Sequence, residues 1–69
     1  MKKGDKVQII SAPVVDNNEY GQMQINTTVG QSGTIENIYA NGIRNILVYF
    51  DKYAYNYYSA ENLKLIPKN

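Results

Sequence analysis

Polar and apolar positions alternate with period two at Lys6-Val7-Gln8-Ile9, which predicts a strand over residues 6–11 with Val7 and Ile9 on its core face. Gly4-Asp5 reads as the turn that opens it, and Pro13 ends it. Between residues 16 and 28 the alternation fades into a polar stretch holding Asn17, Asn18, Gly21 and Asn26, which predicts a long loop. Loops longer than about 12 residues in compact domains are usually functional, so this one, with Asn17, Asn18 and Tyr20, is a candidate contact arm. The plainer reading is an insertion without a role.

Gly30-Gln31-Ser32-Gly33 suits a tight turn with positive φ, and it feeds a second strand over residues 34–38. Asn41-Gly42 is a strong two-residue hairpin signal. It links that strand to a third over residues 44–50, where Ile46, Val48 and Phe50 share one face and Leu47 and Tyr49 the other. Asp51-Lys52 turns the chain into a fourth strand over residues 53–58, placing Tyr53, Tyr55 and Tyr57 on one side and Tyr58 toward the core. Ser59 caps a single 3₁₀ turn over residues 60–62, and a short strand over residues 63–66 follows before Pro67. The predicted fold is all-β: one domain over residues 1–69, a small five-stranded barrel with a long first loop and one 3₁₀ turn before the last strand. Closure would also remove the sheet edges through which a chain rich in tyrosine and asparagine aggregates.

This order of elements, with Gly4-Asp5-Lys6-Val7 and Gly30-Gln31-Ser32-Gly33-Thr34-Ile35 as openings of the first two strands, resembles the SH3-like barrels. Within them the chain is most similar to the variable (alpha) chain of ferredoxin-thioredoxin reductase, over residues 1–15, 29–38 and 50–66. That resemblance implies a non-catalytic accessory subunit that supports a larger protein, an iron-sulfur reductase catalytic chain. The strand pattern that follows Met1-Lys2-Lys3-Gly4 without an apolar leader leads to the expectation of a cytoplasmic or plastid-stromal setting. Gly42-Ile43-Arg44 and Val48-Tyr49-Phe50-Asp51-Lys52 resemble the SH3-like subunit of photosystem I. The Gly-Asp-x-Val opening is similar to KOW modules, and Tyr58-Ser59-Ala60-Glu61-Asn62-Leu63 to small phage SH3-like proteins that bind and regulate a host protein.

Composition narrows the chemistry. The 69 residues contain no cysteine and no histidine, which excludes thiolate clusters, the usual structural zinc sites and imidazole acid-base schemes. Asp5, Asp16, Glu19, Glu36, Asp51 and Glu61 are scattered over turns and strand edges, without the spacing of a calcium loop or a glycosidase pair. Gly30-x-x-Gly33 lacks the Lys-Ser/Thr of a phosphate loop and leads into a strand. The expectation is no enzyme and no cofactor. The longest apolar run, Ile46-Leu47-Val48-Tyr49-Phe50, is far short of the roughly 20 residues that span a bilayer, and Met1-Lys2-Lys3-Gly4 leads straight into a strand pattern, which predicts no membrane span and no secretory leader.

Tyrosine supplies nearly all the aromatic surface: seven Tyr against one Phe and no Trp. Tyr49, Tyr53, Tyr55 and Tyr57 are therefore candidate partner contacts, because tyrosine combines rigid area with a polar tip. The competing reading is cross-strand packing in place of missing aliphatics. Arg44 and Lys52, at the two ends of the third strand, join the candidates. If they and the lysines at positions 2, 3 and 6 approach the tyrosines, the combination suits single-stranded nucleic acid. The net charge of +1 is too small for the strong positive field of a dedicated nucleic-acid binder, and it leaves protein binding as the leading expectation.

Overall fold

The computed structural model describes residues 1–15, 19–51 and 54–67. Five strands, β1 (Lys6–Ile9), β2 (Ser32–Ile38), β3 (Ile46–Asp51), β4 (Ala54–Tyr58) and β5 (Leu63–Leu65), form one antiparallel sheet in the order β4-β3-β2-β1-β5. Every expected strand is present, with no end displaced by more than two residues. The expected barrel closure is not: among the described residues β4 pairs only with β3, and β5 only with β1, so the sheet keeps two free edges.

A second correction concerns the expected long loop, which contains α1 (Glu19–Asn26). Its sequence, Glu-Tyr-Gly-Gln-Met-Gln-Ile-Asn, lacks an apolar stripe at helical spacing, and only Ile25 is buried. Tertiary contacts hold it instead. Ile25 enters the core, and the Gln22 side chain accepts from Val15 N–H at 2.8 Å while donating to Pro13 C=O at 3.0 Å. Helices this short depend on such packing, not on propensity. Asn17 and Asn18 lie outside the described residues.

The core draws inward-facing side chains from every strand, with Val7 and Ile9 from β1, Ile35 from β2, Ile46 and Val48 from β3, Tyr58 from β4 and Leu63 from β5. Phe50 packs against its margin, edge-on to Tyr58 at 6.3 Å. Fully burying one such aliphatic contributes about 1.5–3 kcal/mol, so this set carries most of the stabilisation of a chain that has no disulfide. The few buried polar groups are paired. Asn62 accepts from Ser59 N–H at 3.0 Å and donates to Ser11 Oγ at 2.9 Å. It thereby fixes the 3₁₀ turn Ala60–Asn62 that carries the chain from β4 to β5.

Two turns differ from expectation. Asn41-Gly42 sits inside a wider connection over residues 40–44, closed by Tyr39 N–H donating to Asn45 C=O at 2.8 Å, with Gly42 at φ 110°. Gly30 has the expected positive φ of 93°, but Gly33 is required for a different reason. A Cβ there would lie 2.6 Å from Val48 Cγ1 and 2.8 Å from Tyr49 O, so only glycine lets β2 lie this close to β3.

Candidate functional site

Alternation along β3 and β4 sorts their side chains between two faces. Ile46, Val48 and Tyr58 go to the core. Leu47, Tyr49, Tyr55 and Tyr57 go to the other side, where Tyr49 stands opposite Tyr55 and Leu47 opposite Tyr57 in the register. The Tyr49 and Tyr55 rings stack with centroids 5.3 Å apart and planes 23° from parallel. Tyr57 meets Tyr55 edge-on at 6.4 Å and Tyr39 at 6.2 Å. The outer face thus carries a continuous chain of four phenols, Tyr49, Tyr55, Tyr57 and Tyr39. Tyr55 is 51% exposed, Tyr39 43% and Tyr57 37%. Leu47 is nearly covered although it is no member of the core cluster.

Tyr39 was not among the residues that the sequence pattern singled out. Counting by twos from inward-facing Ile35 sends positions 37 and 39 inward. The register shifts between Ile35 and Asn37: Ile35 faces Val48, while Asn37 faces Leu47. Glu36 is the extra residue of a bulge, and a bulge reverses the phase of everything after it. Asn37 and Tyr39 therefore lie on the outer face. No local signal in the sequence marks that bulge.

The face has modest electrostatics. The Tyr57 phenol is held above its usual pKa of 10.0, first by loss of solvation and then by the neighbouring phenols Tyr39 and Tyr55. Arg44 is the one expected cation that the described residues bring here; its Nε donates to Tyr57 C=O at 3.0 Å. Lys52 and Tyr53 lie outside the described residues. Lys2 and Lys6 line a different depression, beside Leu65, Ile66 and Pro67, at the β5 end of the strand order and not the β4 end. Tyr20 is 70% exposed on α1, and its ring meets none of the four phenols. Ile43 and Val14, the two most exposed large apolar side chains among the described residues, flank a groove that Arg44, Ser59 and Glu61 also line.

Chemically, the arrangement offers area and hydrogen bonding. The stacked pair covers one face of each ring, which suits an irregular polar and apolar partner surface better than flat stacking of bases. Among the described residues no group of three or more carboxylates converges on a point that could hold a metal ion, and no helix is long and apolar enough to cross a membrane. No family model matches the chain, and no curated protein matches it in sequence.

Proposed function

We propose that this chain is a non-catalytic docking domain of SH3-like strand order, with the sheet left open, which holds a larger protein against the face formed by Tyr39, Tyr49, Tyr55 and Tyr57. The observation that carries this reading is the unbroken ring contact from Tyr49 through Tyr55 and Tyr57 to Tyr39 on the side away from the core. Four phenols already held by one another lose little side-chain freedom on contact, which is the property of an interface anchor. The strand order, with β1 between β2 and β5 and a 3₁₀ turn before β5, supports the SH3-like assignment. The resemblance to the variable chain of ferredoxin-thioredoxin reductase makes an iron-sulfur reductase catalytic chain the implied partner, with the domain contributing surface and no cofactor in a cytoplasmic or stromal setting.

Capture from native lysate, with retained proteins identified by mass spectrometry, tests this with wild type beside a Tyr55→Ala/Tyr57→Ala variant whose folding is verified by circular dichroism. The expected result is one protein held by the wild type and lost by the variant. Equal capture by both rejects the tyrosine face. Tight, steeply salt-dependent binding of short single-stranded RNA, with shifts at the tyrosine and Arg44 resonances, would replace the protein-docking reading with a nucleic-acid one.

A further inference from the structure

The free edge of β4 has a geometry that follows from the register. Tyr39 N–H donates to Asn45 C=O, continuing the pairing in which Ile38 faces Ile46 and Asn37 faces Leu47. Asn45 thus turns its main-chain groups toward β2, and alternation turns those of Ile46 and Val48 toward β4. Ile46 faces Tyr58 and Val48 faces Asn56. The N–H and C=O of Tyr55 and Tyr57 consequently point away from β3, off the edge of the sheet. Among the described residues one group meets this row, the Arg44 Nε on Tyr57 C=O.

The two sheet edges are protected differently. β5 is three residues long, with exposed Lys64 at its centre and Pro67 two positions beyond its end. Shortness, a lysine and a nearby proline are common defences against edge pairing. β4 runs Ala-Tyr-Asn-Tyr-Tyr, five residues without a charge or a proline. A strand that pairs antiparallel with its own copy sets like residues together across the axis. Lys64 would meet Lys64, whereas β4 brings no like charges together. The net charge of +1 adds little long-range repulsion between two copies.

We infer that the β4 edge is a self-pairing edge: it accepts β4 of a second copy of this chain, antiparallel about a two-fold axis at Asn56, and Arg44 guards it. In that register Tyr55 of each copy faces Tyr57 of the other, and the two pairs exchange four main-chain hydrogen bonds. Two Arg44 contacts are given up in return. The interface is isologous, and the tyrosine faces of the two copies join into one. This goes beyond the docking proposal, since it uses main-chain groups and not the phenol rings.

Sedimentation of the purified chain from about 1 µM to about 1 mM tests it. The expected result is a monomer-dimer equilibrium, tightened about tenfold in Arg44→Ala by loss of the competing contact. Tyr55→Pro removes an outward N–H while sparing the β3–β4 ladder, and it abolishes the dimer, whereas Tyr55→Phe keeps it. If Tyr55→Pro fails to fold, synthetic chain carrying N-methyl-Tyr55 decides the point. Wild type and Arg44→Ala that both stay monomeric over this range overturn the inference, as does a dimer that survives loss of the Tyr55 N–H. The Tyr55→Ala/Tyr57→Ala variant retains the main-chain row, so loss of partner capture with the dimer intact separates failure of one proposal from failure of the other.

Discussion

Tyr57 and Tyr58 are neighbours in the chain and identical in chemistry, yet the pleat of β4 sends them to opposite fates. The Tyr58 ring is fully buried, edge-on to Phe50. Its hydroxyl lies 2.6 Å from Thr28 Oγ1. Because Thr28 spends its own proton on Ile25 C=O, the Tyr58 O–H is the donor to Thr28. That bond ties the turn after α1 to the sheet. Tyr57 is half-exposed and touches mainly other tyrosines. One residue type therefore serves as a core member with its polar tip paired to a threonine, and one position earlier as part of a surface chain of phenols. The difference lies in the environment, not in the side chain.

Truncation separates the two most sharply. Tyr58→Ala should cost about 3–5 kcal/mol, the range for deleting a buried aromatic, and Tyr57→Ala about 1 kcal/mol or less; urea unfolding measures both. Similar losses at the two sites would mean that the outer face is a second core. Leu47→Ala sharpens that point, because Leu47 lies under the outer face and not in the core cluster. A loss of about 2 kcal/mol, with shifted ring resonances at Tyr57, would establish that the phenols rest on a packed floor.

Removing the hydroxyl alone is a finer cut. Tyr58→Phe leaves the Thr28 contact with Ile25 intact and should cost about 1 kcal/mol, while Tyr57→Phe should stay within about 0.5 kcal/mol of wild type. The smallest effect is in alkali. Burial raises the Tyr58 phenol above its usual pKa of 10.0. A raised phenol keeps its proton in the folded state after the unfolded chain has lost its own, so its contribution is fully present below pH 10 and stability falls as pH rises beyond that value. Unfolding followed across this range should show a downward slope that Tyr58→Phe reduces more than Tyr57→Phe does. An unchanged slope in Tyr58→Phe would contradict the burial of that phenol.

The strands were legible because their pattern is local. Val7 and Ile9, Ile46 and Val48, and the Tyr55/Tyr57 alternation with Tyr58 turned inward all follow from period two, and Ser59 marked the 3₁₀ turn. The helix was not legible, because Ile25 is its only buried residue and Gln22 finds its partners at Pro13 and Val15, outside the helix. Tyr39 was missed because the bulge at Glu36 reverses the phase between Ile35 and Asn37. The open β4 edge could not be foreseen either, since pairing at the sheet margins depends on how far the strands curl. The amino-acid sequence by itself determined which residues form strands, which face of each strand is apolar, and the absence of thiol and imidazole chemistry, because alternation and composition are properties of the chain alone. Only the tertiary structure decided the short helix, the fourth tyrosine of the outer face and the free edge, because each depends on which distant groups come close enough to bond.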